Sequence, residues 1–479
     1  MHDGTVSAPV DPVAPSRQDP FAHGASELYG GPVGGHAARR TSWFWVPVRV
    51  VLVLMVVGLG IAYLQKLPCS THAWSGEYQY TRMCYSDVYA LYYAEGLDRG
   101  QVPYKDHPVE YPVVIGGMMQ AASWVASHAD PADKADVFFD ASVAMLAVGG
   151  LVVAWSTVRL AGRSRPWDAA MLAVSPVLFV HAFTNWDLAA AAFAGAGLWA
   201  WSRRRPAWAG VLLGLGVATK LYPVLLIGAL FLLCLRAGRL RSWAVMFGAA
   251  ALTWLLVDLP VWIAWPASFG RFYSLNRSRP ADWDSLWFAI EHWRGKPLDS
   301  GLLPGQSPTI LNTLSAAAFV LVAISIAVLV LRAPRRPRVA QVGLLVVVGF
   351  LLTSKVYSPQ YAIWLLPLVV LARPRWPAVL AWQATEVLLL FMRFYFFVGH
   401  DHAGQGLPIG FFLAGVVIRD LVLVVICALV VREIWSPRRD VVRAEGVDDP
   451  AGGVLAGSED RIVLPGPRVA ATAGKPALT

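Results

Sequence analysis

The chain reads as an all-α, polytopic integral membrane protein. Three observations predict this. Hydrophobic residues make up 56% of the sequence and charged residues only 15%, against about 25% charged in a soluble domain. Mean hydropathy is +0.51. The apolar residues form continuous runs of roughly 17–25, the length a helix needs to cross a bilayer, without the alternation of a transmembrane barrel. Lys and Arg collect in the short connections between runs, so the net charge of +9 follows the positive-inside bias and is no sign of a nucleic-acid partner.

Residues 1–45 and 436–479 are rich in small, polar and Pro residues without periodicity, and read as disordered cytoplasmic tails around a membrane domain at 46–435. The first run, Val46 to Leu64, starts too far in for a cleaved signal and lacks a small-residue cleavage site after it. It reads as an uncleaved span with Arg39, Arg40 and Arg49 inside. The further candidate spans are 109–128, 137–160, 168–184, 187–201, 207–219, 221–236, 243–263, 311–331, 339–353, 361–373, 377–398 and 409–431. Three pairs form tight hairpins, each flanked by basic loops: Arg163 and Arg165, Arg203 to Arg205, Arg236 to Arg241, Arg332 to Arg338, and Arg373 with Arg375. Cytoplasmic basic loops put the hairpin tips outside, together with the loops 65–108 and 264–310. One conflict stands: with 65–108 outside, two full crossings at 109–128 and 137–160 would leave Arg163 outside as well.

The polar segment 69–112 is the richest stretch. Cys69 and Cys84 alone of the four cysteines fall outside predicted spans. A bond between them would close a loop of about 15 residues, contributing roughly 3 kcal/mol in an oxidising exterior. Cys234 and Cys427 read as packing residues within helices. Asp87 and Tyr89 stand in Cys84-Tyr-Ser-Asp-Val-Tyr, the start of an amphipathic helix whose tyrosines suit the membrane interface. Asp87 is either that helix's cap or a general base at the bilayer surface. Tyr104, His107 and Glu110 lie in Pro103-Tyr-Lys-Asp-His-Pro-Val-Glu-Tyr-Pro112. Its prolines fix a turn into the next helix, and Glu110 suits a helix N-terminus. That role leaves the neighbouring Lys, Asp and His without explanation.

Lys220 and Lys355 sit at hairpin tips, in Thr-Lys-Leu-Tyr-Pro with Tyr222 and in Ser-Lys-Val-Tyr-Ser-Pro with Tyr357. Ionisable residues at membrane depth are costly and usually functional. Paired ammonium groups and phenols suit a phosphate at the bilayer surface, and snorkelling to water is the structural alternative. Asn185 and Asp187 form a third tip, where Asp187 either caps a helix or lines a pocket. Arg279, in a basic and then acidic-aromatic loop, suits phosphate or sugar. His400, Asp401 and His402 adjoin in sequence, and three neighbours rarely ligate one ion, so no metal site is expected. No nucleotide-binding motif is present and no cofactor is expected.

The ordered set Ser86-Asp87-Val88-Tyr89, Gly96, Pro103-Tyr104, Glu110-Tyr111-Pro112, Asn185-Trp186-Asp187, Thr219-Lys220-Leu221-Tyr222-Pro223 and Ser354-Lys355-Val356-Tyr357-Ser358-Pro359-Gln360-Tyr361 resembles the glycosyltransferases of family 87, across most of 46–431. The resemblance implies a GT-C helical bundle with a large first external loop and an active site on the extracytoplasmic face of the cell membrane. It implies a polyprenyl-phosphate sugar donor, mannose above others, and a lipid or glycan acceptor of the cell envelope. It also implies inversion at the anomeric carbon and no nucleotide. Asp87 would be the base, and the tip lysines and tyrosines, with Gln360 among the substrate-binding residues, would hold the departing phosphate. The Cys69–Cys84 segment and the Lys-Asp-His-Pro-Val-Glu-Tyr-Pro wording depart from the characterised mannosyltransferases, which leaves the acceptor open. Two other classes are compatible with the residues: a transporter or flippase of lipid-linked saccharides, which has no use for a base at Asp87, and a membrane scaffold.

Overall fold

The computed structural model describes residues 44–71, 74, 76–301, 306–401, 404–444 and 446–465. Among these there is no strand, and the chain is an all-α polytopic membrane protein. Six helices are long and apolar enough to cross a bilayer: α1 (Pro47–Ser70), α4 (Lys134–Ala161), α9 (Leu240–Ala264), α12 (Thr309–Arg332), α15 (Trp376–Asp401) and α16 (Ile409–Trp435). Between them lie shorter helices: α2 (Asp87–Ala94), α3 (Val113–Ala126), α5 (Pro176–His181), α6 (Asp187–Ser202), α7 (Pro206–Thr219), α8 (Pro223–Arg236), α10 (Pro266–Ser278), α11 (Leu286–Trp293), α13 (Val339–Thr353) and α14 (Ala362–Ala372).

The short helices set where the polar residues sit. A 14-residue helix such as α7 rises about 21 Å, less than the roughly 30 Å of a hydrocarbon core. Helix α7 packs closely along α9, because Gly210 and Gly214 present bare backbone to it. A Cβ on Gly210 would stand 2.1 Å from the Met246 carbonyl oxygen, and one on Gly214 2.5 Å from that of Ala250. Spacing small residues four apart lets helix backbones meet in this way. Helix α7 stops at Thr219 while α9 continues to Ala264, so the Lys220 tip is recessed within the bundle.

Two expectations are corrected. The run 109–128 is shorter as a helix than its apolar length suggests, too short to span a bilayer by itself. Its helix, α3, begins only at Val113 after the Pro112 turn and spans 14 residues. Asp136 and Asp140 of α4 accept hydrogen bonds from Trp74 (3.3 Å) and Tyr63 (2.9 Å), which belong to the Ser70 end of α1 and its connection. Helix α4 alone then traverses the bundle, and Gly162 beyond it meets Pro450 at the end that carries the other basic connections. The Arg163 conflict disappears.

The second correction concerns the tail from 436. Its acids pair with arginines of that basic end, and the chain packs as far as 465. Asp440 is buried against Arg338 at 2.8 Å, and Asp460 meets Arg236 and Arg336 at 2.8 Å each. Composition signals disorder when a segment cannot bury apolar surface. Here charge pairing supplies the contacts instead. The predicted loop 264–310 also carries structure of its own, α10 and α11.

Candidate active site

At the end opposite the basic connections, the loop ahead of α2 is held from three sides. The Ser86 hydroxyl caps α2 by accepting from the Val88 amide (3.2 Å) and itself donates to the Phe183 carbonyl at 2.7 Å. The Asp87 amide donates to the Thr184 carbonyl at 2.8 Å. Lys66, in the last turns of α1 and 2% exposed, donates to the Tyr85 carbonyl at 2.8 Å. A disulfide joins Cys69 to Cys84 just upstream. Together these contacts fix the Asp87 backbone against the connection between α5 and α6.

The Asp87 carboxylate accepts three side-chain hydrogen bonds. Tyr85 donates to Oδ1 at 2.7 Å, and Asn185 and Gln360 donate to Oδ2 at 2.7 and 3.1 Å. The negative charge of Asp87 is the main reason the Tyr85 phenol is pushed well above its ordinary pKa, with burial next, so Tyr85 stays a proton donor. A carboxylate offers about four acceptor positions, so one is left for an incoming hydroxyl.

Asn185 extends the chain of contacts. Its amide also donates to the Tyr111 hydroxyl at 2.7 Å, and its Oδ1 accepts from Lys220 Nζ at 3.0 Å. Lys220 donates to Asp187 Oδ1 at 2.8 Å, an oxygen that also accepts from Trp364 Nε1 at 2.7 Å. Both charges are buried, with side chains 9% and 1% exposed. The ammonium lies 5.4, 5.6 and 6.0 Å from the ring centres of Tyr111, Tyr361 and Trp364, an aromatic cage for a cation. Two of its three protons are committed, which leaves one.

These groups line a polar cavity of about 270 Å³. Its cations are Lys66, Lys220, Arg279 and Arg393, set against Asp87, Glu110 and Asp282. Burial raises the Glu110 carboxyl, with the Arg279 charge opposing it. A second cavity of about 550 Å³, mostly apolar, adjoins the first and shares Tyr111, Lys220, Phe272, Asn276 and Tyr361 with it. Leu221, Val224, Leu225, Phe319 and Phe350 supply its apolar walls, from α8, α12, α13 and the tip ahead of α8.

Of the residues singled out in the sequence, Asp87, Glu110, Asn185, Lys220, Arg279 and Gln360 reach the polar cavity, and Asp187 stands behind it as the counter-ion of Lys220. Tyr222 and Lys355 line the apolar cavity. Lys355 donates to the Arg277 and Arg279 carbonyls at 3.1 and 2.6 Å, closing the C-terminal end of α10. The two lysines line one cavity, but each holds its own partners. Tyr89, Tyr104, His107 and Tyr357 line neither of these two cavities. Tyr89 stacks on Trp74 at 4.6 Å, so the face of α2 expected to lie at the interface packs into protein. Tyr104, at φ 68°, donates to the Tyr111 carbonyl at 2.8 Å and fills the space beside Gly116. His107 stands 3.3 Å from Glu95. Tyr357 is buried under the Arg419 guanidinium at 3.7 Å. The hydroxyls of Tyr89 and Tyr357 are spent on neighbours outside the cavities, Tyr93 and Glu386.

Sequence reasoning missed Lys66, His181 and Arg393, all inside apolar helices. His181 lines the cavity with neither ring nitrogen hydrogen-bonded. Arg393 donates to Asp284 at 2.7 Å, and Arg419 donates to the Asp284 carbonyl at 2.7 Å, anchoring the loop after Arg279. An ionisable residue deep in an apolar run was the available signal. His400 lies 5.6 and 6.0 Å from the ring centres of Trp283 and Phe396, and His402 lies outside the described residues. Among the described residues no cluster fits a metal ion.

The site is thus a polar, charge-lined cavity recessed at one end of a helical membrane bundle, with a mostly apolar cavity beside it. The model of glycosyltransferase family 87 matches residues 135–354, and across that segment the chain is similar to the membrane glycosyltransferases of that family. The matched segment holds Asn185, Asp187, Lys220 and Arg279, while Asp87 and Gln360 reach the same cavity from outside it. No curated protein matches the chain.

Proposed function

We propose that the protein transfers a sugar, mannose above others, from a polyprenyl-phosphate donor to a hydroxyl of a cell-envelope lipid or glycan, with inversion and on the extracytoplasmic face. The observation that carries this reading is the joining of the two cavities at Lys220. A sugar phosphate fits a polar chamber with four cations, and its prenyl chain fits the adjoining apolar one. Tyr111 and Tyr361 stand at the junction, where the phosphate would lie.

The acceptor hydroxyl approaches the remaining acceptor position of Asp87. As its oxygen bonds to the anomeric carbon, its proton passes to the Asp87 carboxylate. The bond between the anomeric carbon and the phosphate oxygen breaks, and the electron pair leaves on that oxygen. Attack from the face opposite the leaving group inverts the carbon. Arg279 and the third proton of Lys220 offset the charge that develops on the phosphate. The low-dielectric walls strengthen these interactions. Asn185 ties the two halves together, since one side chain contacts both the base and the cation.

Purified protein reconstituted with polyprenyl-phosphate mannose and a crude envelope-lipid acceptor tests this. Mannosylated lipid is the expected product. Donor that binds and crosses the bilayer without forming product would favour a carrier of lipid-linked saccharides instead.

A further inference from the structure

At the basic end of the bundle, opposite the end that holds the site just described, five arginines converge on one hollow of about 370 Å³. Arg373 and Arg375 come from the connection between α14 and α15, Arg432 from the last turn of α16, and Arg438 and Arg439 from the turn that follows. The one carboxylate in the lining, Glu433, is shared by Arg373 at 3.1 Å and Arg375 at 3.6 Å. Asp440 is next in sequence, but it is buried against Arg338. Arg432, Arg438 and Arg439 are exposed and have no carboxylate partner among the described residues. Such an excess of charge in one concavity is self-repelling unless an anion enters it.

A positive-inside bias places arginines at this end of the protein, and a cation near a helix C-terminus is favoured by the helix dipole. Neither effect requires three elements to aim guanidinium groups at a common space. Leu429, Val441 and Ala444 complete the lining with apolar surface. The hollow lies at the mouth of α16, a helix long enough to cross the bilayer, so it opens at membrane-surface level. We propose that this hollow is a binding site for a phosphate group, best matched by the headgroup of an anionic phospholipid. Guanidinium forks hold phosphate oxygens in pairs. The apolar wall suits the glycerol and the first acyl carbons, and basic pockets at such depths bind lipid headgroups.

Native mass spectrometry of the full chain in detergent tests the proposal, with phosphatidylglycerol, phosphatidylcholine and inorganic phosphate as separate probes. Phosphatidylglycerol should bind at least tenfold more tightly than phosphatidylcholine. The triple variant R432Q/R438Q/R439Q, all at exposed positions, should bring the two within about twofold. The charge-matched variant R203Q/R204Q/R205Q, at exposed arginines outside the hollow, should keep the preference. Inorganic phosphate binding that the first triple abolishes would support the site with a soluble phosphate as its source. No preference for the anionic lipid and no phosphate binding would overturn the proposal. An equal loss in both triples would also overturn it, since diffuse charge would then explain the effect. Unchanged melting of both variants confirms that folding is intact.

Discussion

Replacing Lys220 by Met separates two jobs that one ammonium group performs. The substitution removes contacts to Asp187 at 2.8 Å and to Asn185 at 3.0 Å. Asp187 is then a carboxylate 1% exposed, with Oδ1 held only by Trp364 and Oδ2 without a hydrogen-bond partner. Stranding one member of a buried ion pair costs about 3–5 kcal/mol. The double variant Lys220→Met/Asp187→Leu removes the stranded charge and should recover most of that loss, since a buried pair replaced by apolar residues is often neutral in stability. Donor binding should not recover, because the phosphate has lost its cation. Losing a desolvated charge contact of this kind weakens binding by about 2–5 kcal/mol. Unfolding in mixed micelles reports the stability, and retention of a fluorescent polyprenyl phosphate reports the binding. A single variant costing under about 1 kcal/mol would refute the buried pair. A double variant that regains binding together with stability would show that Lys220 serves structure alone.

Other consequences are open to measurement. Asn185→Leu, which breaks the link between Asp87 and Lys220 and removes the donor to the buried Tyr111 hydroxyl, should lower turnover at least tenfold while the protein still inserts; turnover within twofold of the parent would contradict this. Cys69→Ser/Cys84→Ser should lower stability by roughly 3 kcal/mol and reduce activity by loosening the segment that carries Asp87, while full activity would limit the bond to protecting the loop. Burial raises Glu95 to about 7, against an ordinary 4.5. The folded state therefore holds a proton that the unfolded state has released, so stability should fall as pH rises from about 4.5 through about 7. Glu95→Gln should flatten that slope in unfolding measured across the range, and a slope of the same size in the variant would assign the dependence to another group.

The fold class was legible because bilayer length and composition constrain it strongly. So were the tips: polar residues where apolar runs turn have few structural reasons to be there, and Asn185, Lys220 and Gln360 do meet Asp87 or one another. What the sequence hid follows from helix geometry. Lys66 and Arg393 lie within helices, and only three-dimensional packing turns them toward the cavity rather than toward a neighbour. Tyr89, Tyr104 and Tyr357 carry the same chemistry as Tyr111, yet their rings support loops. Nothing in a phenol's spacing distinguishes a wall from a support. The run 109–128 misled because hydropathy counts apolar residues without seeing that Pro112 delays the helix to 14 residues. The segment after 436 misled because its order rests on Asp440 and Asp460 meeting arginines from distant connections.

The most direct test of the central claim is transfer by Asp87→Asn in a reconstituted assay with polyprenyl-phosphate mannose, alongside donor binding and the anomeric configuration of the parent's product. A positioned general base typically contributes 10²–10⁴-fold. A base at Asp87 predicts an inverted linkage from the parent, and in the variant a turnover at least a hundredfold lower with donor binding within about threefold. Near-normal turnover by the variant, or a product that retains the donor's configuration, would contradict it.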